Sequence, residues 1–108
     1  VGRQLASYLA FTGKKLGAEE AKNLGLIADV FEDESFAEES MKVLAHIANL
    51  PTKAISITKK AFNESYTNTL DQQLSREAEF QQAAAKSFDF MEGVTAFLQK
   101  RKPEFKGN

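Results

Sequence analysis

Apolar residues recur along this chain at intervals of three and four and almost nowhere alternate, so the pattern predicts helices. Leu5, Ala6, Leu9 and Ala10 form a narrow stripe over residues 3–11, and Gly13 is placed to stop that helix in a left-handed conformation. A shorter helix fits residues 18–24, ended by Gly25. The run 26–31, LIADVF, favours strand but has no second run to pair with, so a short extended connector is expected. Ser35 and Glu38 have capping-box spacing and open a helix whose core stripe is Ala37, Met41, Leu44 and Ala48, flanked by Val43 and Ile47. Pro51 suits the first turn of the next helix, which carries Ala54, Ile57, Thr58 and Ala61 on one side, with Ile55 and Phe62 adjoining, and ends near Ser65. Thr69 with Gln72 caps a fifth helix, in which Leu70, Leu74, Ala78 and Ala85 leave only a thin seam that its own chain covers in part.

The last segment combines a helix start, an apolar face and a basic tip. Asp89 and Glu92 have capping-box spacing, so a helix is expected from about Phe90, with Met91, Val94 and Phe97 or Leu98 on one buried face. Lys100, Arg101 and Lys102 fall at its C-terminus, where positive charge is favourable, and Pro103 stops it. The chain is thus expected to be all-α, with about five to six helices and one short extended connector. No internal repeat or low-complexity linker interrupts it.

Composition narrows the function classes. A chain of 108 residues is at most one domain and buries only about two-thirds of its unfolded surface, enough for one modest core. Fourteen Lys and Arg against fifteen Asp and Glu leave a net charge of −1, which gives no general field for nucleic acid or an anionic membrane. With no cysteine and His46 as the sole histidine, a zinc or other metal site is not expected. No apolar run approaches the ~18 residues of a membrane span, and no signal peptide is visible. The chain opens Val1-Gly2-Arg3, its only methionines are Met41 and Met91, and it reads as a piece of a longer protein.

Few residues invite a catalytic reading. FTGKKLG lacks the upstream glycine of a phosphate-binding loop and has Lys15 where a Ser or Thr would hold magnesium, so Gly13 reads as a helix stop. Asp89 and Glu92 could form an acid/base pair, but the cap already explains their spacing. Glu77 and Glu79 point in different directions on a helix and are expected to be solvated, and His46 reads as a half-exposed helical residue. The cluster Lys100-Arg101-Lys102 reads, from charge alone, as a solvated helix end.

Two stretches change that balance. Glu92-Gly93, Ala96-Phe97, Lys100-Arg101, Pro103 and Phe105 resemble the closing pattern EGxxAFxxKRxPxF of the enoyl-CoA hydratase/isomerase (crotonase) family, and Gly13, Ala18, Glu20, Ala21, Gly25 and Leu26 match a second stretch in the right order. The resemblance implies the C-terminal helical region of the crotonase (ClpP/crotonase-like α/β spiral) fold. Residues 1–33 would be the tail end of the core, and residues 34–108 a helical oligomerisation and acyl-CoA-pocket region. It further implies a coenzyme A thioester as substrate, with no bound cofactor or metal, and hydration of a 2-enoyl-CoA or double-bond isomerisation as the reaction. It places the setting in fatty-acid β-oxidation and the cytoplasm.

Carried over residue by residue, Phe97 and Lys100 are the coenzyme A contacts, the ring against an apolar part and the ammonium on a phosphate. No catalytic residue falls within the chain, because the family's oxyanion hole and its acidic side chains lie in the half that would precede Val1; the chain alone is expected to be inactive. Self-association follows the family's trimers and hexamers, with a dimer open to the isolated chain. A self-associating helical module without ligand or catalysis is the alternative reading.

Overall fold

In the computed structural model, which describes residues 1–108, every regular element is a helix. The order is α1 (Gly2–Thr12), α2 (Ala18–Asn23), α3 (Phe36–Ala48), α4 (Thr52–Ser65), α5 (Leu70–Ala85) and α6 (Phe88–Leu98). The run 26–31 leaves α2 through a bend and forms no strand. Lacking a partner strand, its backbone has no ladder to join. Two compact units, Val1–Ser40 and Met41–Asn108, divide the chain, and the boundary falls inside α3.

In the first unit, glycines terminate both helices. Gly13 (φ 62°) donates its N–H to Leu9 O, closing α1 in the left-handed conformation expected of it. Gly25 (φ 71°) donates to Lys22 O and Leu26 to Ala21 O, the paired bonds of a Schellman ending. Two exposed ion pairs tie the loops to α2, Lys14–Glu20 and Lys22–Asp29, each at 2.6 Å. Before α3, Phe31 and Phe36 meet edge to face with ring centres 6.4 Å apart.

The second unit is built on an antiparallel pair, α4 and α5. Thr69 opens α5 with a full capping box, its hydroxyl accepting from Gln72 N–H while the Gln72 side chain accepts from Thr69 N–H. Gln73 and Arg76, on the first turns of α5, reach Ala61 O and the Glu64 carboxylate on the last turns of α4. At the other end of the pair, Ala54 faces Ala84 across a shared groove. Arg76 makes a two-pronged contact with Glu64 at 2.9 and 3.2 Å, also pairs with Glu79, and lies 4.7 Å from the centre of the Phe80 ring. Glu79 is therefore paired rather than merely solvated, and Glu77 accepts from Gln73.

The one modest core expected from chain length does not form. Ala96 is the only buried apolar residue, at 1% exposure. The stripe expected to be the core of α3 lies open, with Met41 at 62% and Leu44 at 59%, and the thin seam of α5 lies open too, with Leu70 at 74%. An apolar helical stripe is a demand for a facing surface. Six helices with no sheet do not supply enough of it.

Candidate functional site

The site begins with how α6 starts. Its N-cap is Ser87, whose hydroxyl accepts from Phe90 N–H at 3.1 Å and donates to Ala84 O at 2.6 Å. The expected box of Asp89 and Glu92 is absent, and the helix opens at Phe88 rather than Phe90. Serine and aspartate are comparable caps, so local spacing alone does not decide between them. The decision comes from farther along the chain, because both carboxylates are claimed by residues beyond the helix.

Asp89, 2% exposed, accepts the N–H groups of Lys106 at 2.6 Å and Gly107 at 2.8 Å. Its own N–H donates to Asn108 O. Glu92 accepts from both guanidinium ends of Arg101, at 2.6 and 2.9 Å, and from Glu104 N–H at 2.8 Å. The Arg101 guanidinium and the Glu104 N–H hold the Glu92 carboxyl down at about 2. Both carboxylates are thus occupied by strap donors, which gives each a structural role and leaves neither facing the other as an acid/base pair.

Between these two anchors the Phe105 ring lies over Gly93; a Cβ there would stand 3.6 Å from Phe105 Cε1, at ordinary van der Waals distance. Residues 101–108 thus double back along α6 as a strap. At its end Gly107 (φ 78°) passes so close to Thr52 at the start of α4 that a Cβ would lie 2.4 Å from Thr52 Oγ1. Lys106 sets its ammonium 4.9 Å from the centre of the Phe88 ring.

The reversal that allows this is made at Lys100. Helix α6 ends at Leu98 with Gln99 as C-cap, so the basic triplet lies past the helix rather than on its last turn. Lys100 N–H donates to Phe97 O at 3.1 Å and Arg101 N–H to Ala96 O at 3.0 Å, a Schellman ending. Its left-handed position is Lys100 itself, at φ 54°, the only non-glycine residue in the chain with positive φ. Glycine usually occupies this position, because a Cβ there crowds the backbone.

Phe97 and Lys100, the two expected contacts, are therefore brought to one helix end and joined through the backbone. Phe97 is 82% exposed and borders an open apolar groove of about 420 Å³ that Phe90, Val94, Leu98, Phe105 and Ala54 also line. The Lys100 ammonium makes no hydrogen bond or ion pair. Glu92, Gly93, Ala96, Arg101 and Phe105 do the opposite and are consumed by the strap or by packing. The ion pair of Glu92 with Arg101 was not foreseen from sequence, although a Glu-Gly followed nine residues on by an arginine is the signal it leaves. No group of three or more His, Asp or Glu side chains is placed to hold a metal, and His46 is exposed on α3. No helix is long and apolar enough to cross a membrane.

Residues 1–108 match, without a gap at either end, the sequence profile of the family described as enoyl-CoA hydratase/isomerase. The chain belongs to that family. It is 43% identical over 106 residues to a 1,2-epoxyphenylacetyl-CoA isomerase of Escherichia coli K12, covering 98% of this chain and 40% of the relative. To a 2,3-dehydroadipyl-CoA hydratase of the same organism it is 34% identical over 107 residues, covering 99% and 42%. The crystal structure of an enoyl-CoA hydratase from Bacillus anthracis superposes with a TM-score of 0.88 at 29% identity, covering 100% of this chain and 42% of that one. The chain thus spans about 40% of the length of these enoyl-CoA hydratase/isomerase relatives. Its all-helical arrangement is that of the matching part of the crotonase fold. The strap is accordingly what the closing signature of this family builds in three dimensions here.

Proposed function

We propose that this chain is the C-terminal helical portion of an acyl-CoA-processing enzyme, which in its whole form adds water to a 2-enoyl-CoA, with double-bond isomerisation as the alternative reaction. Residues 1–33 would complete the core, and residues 34–108 would serve subunit contact and the acyl-CoA pocket. The observation that carries this is the family match over the full chain, joined to the exposure of the Phe97 ring and the unpaired Lys100 ammonium, two side chains of the signature.

In this role Phe97 offers an aromatic face to an apolar part of coenzyme A. The Lys100 ammonium donates to a phosphate, a charge-assisted bond of about 1.5–3 kcal/mol net. The oxyanion donors and any acid/base carboxylates would come from the rest of the protein. In this chain the one carboxylate pair beside the signature is spoken for by backbone N–H groups and an arginine. A turnover assay with crotonyl-CoA tests the assignment. The whole protein is expected to hydrate or isomerise an enoyl-CoA and the 108-residue chain to do neither. Hydration by the chain alone would refute it.

One observation favours self-association as a second reading. Met41, Leu44, Phe62, Leu70 and Leu74 are exposed on α3, α4 and α5, more apolar surface than separate helices carry in water without a partner. Light scattering on the isolated chain decides this, and a well-folded monomer would count against it.

A further inference from the structure

A lysine in the left-handed region is costly, and such an outlier persists only where its surroundings impose it. Here the surroundings are specific. Immediately after Lys100 the chain is gripped by the two-pronged contact of Arg101 with Glu92, and Arg101 also donates to Gln99 Oε1 and Lys102 O. Glu104 N–H then adds a second bond to the same Glu92 oxygen. The Arg101 side chain is thereby held against α6 at Glu92, under two turns before the helix end, and Lys100 must reverse the chain to let it arrive there. If the grip loosened, Lys100 could relax to a right-handed or extended conformation and carry its side chain elsewhere.

We propose that Glu92 and Arg101 are positioning residues for ligand binding: their ion pair keeps Lys100 left-handed, and so fixes the direction in which its side chain leaves the helix end. This rests on the assignment of Lys100 to a coenzyme A phosphate. The pair touches no ligand itself; it acts by raising the fraction of molecules in which Lys100 is already set for the phosphate. Apparent affinity scales with that fraction. A left-handed penalty of ordinary size, once unopposed, makes the loss about fivefold.

The test is a double-mutant cycle on the whole protein, read by titration with free coenzyme A. Lys100→Ala is expected to weaken binding about tenfold or more. Glu92→Gln, which keeps the side-chain volume, is expected to weaken it about fivefold when Lys100 is present and to change nothing when residue 100 is alanine. Arg101→Gln should repeat that pattern. Equal losses in both backgrounds would mean that the ion pair only stabilises the strap, and would overturn the proposal while leaving the phosphate role of Lys100 intact. No loss on Lys100→Ala itself would overturn the phosphate role, and the positioning role with it. Circular-dichroism melting of each variant, matched to the parent, excludes unfolding as the cause of a loss.

Discussion

The Asp89 carboxylate accepts the backbone N–H of Gly107 at 2.8 Å, tying the first turn of α6 to a residue eighteen positions along the chain. With Lys106 N–H on its other oxygen, Asp89 anchors the end of the strap from a buried position. Asp89→Ala leaves two N–H groups without their anionic acceptor, and hydrogen bonds to charged groups contribute about 1.5–3 kcal/mol each. The expected outcome is a loss of about 3–6 kcal/mol in the strap's local stability. Hydrogen exchange checks it, because the amides of Lys106 and Gly107 should lose protection while those of α4 and α5 keep theirs.

Lys100→Gly separates stability from binding. It removes the left-handed penalty of about 1–2 kcal/mol, of which the greater freedom of glycine in the unfolded chain cancels about half. A net gain of about 0.5–1 kcal/mol is expected in denaturant unfolding. Coenzyme A affinity should fall in the same variant, since the ammonium is gone. A gain in stability together with a loss of affinity would mark Lys100 as a residue kept for binding at some cost in stability.

The ion pair of Glu92 sets a pH dependence with a definite sign. Its folded value of about 2 lies below the ordinary 4.5, so its contribution is fully present above pH 4.5 and is lost as pH falls through the window between 4.5 and 2. Asp29 and Glu64, held low chiefly by the Lys22 ammonium and the Arg76 guanidinium, act in the same direction. Glu92→Gln isolates the strap's share. In that variant the exchange protection of Glu104 N–H should no longer change across the acid range, whereas in the parent it should fall.

Gly93 sits under Phe105, yet a Cβ there would meet the ring at 3.6 Å, an ordinary contact. Gly93→Ala should therefore be tolerated and gain up to about 1 kcal/mol from helix propensity. Gly93→Leu should displace the ring and free the strap. Phe105 side-chain NMR signals would report the difference between the two.

The helices were legible because their signals are local. Gly13 and Gly25 stop α1 and α2, and the Thr69–Gln72 box opens α5, all within four residues of the bonds they make. The strap was not legible from periodicity, because Asp89 and Glu92 look like a cap at short range and are decided by Lys106, Gly107, Arg101 and Glu104. Burial failed for a related reason. The stripe through Met41 and Leu44 correctly marks an apolar face, but a stripe does not say whether its partner lies in the same stretch of sequence. Phe97 and Lys100 are candidates only as members of the family signature; charge and spacing alone leave Lys100 as a solvated helix end.

Salt-dependent titration of free coenzyme A against the whole protein and its Lys100→Ala variant tests the role of this chain most directly. The expected result is an affinity lower by about tenfold or more in the variant, with a shallower dependence on salt, because one phosphate contact has lost its cation. Identical affinity and identical salt dependence in the two proteins would contradict it.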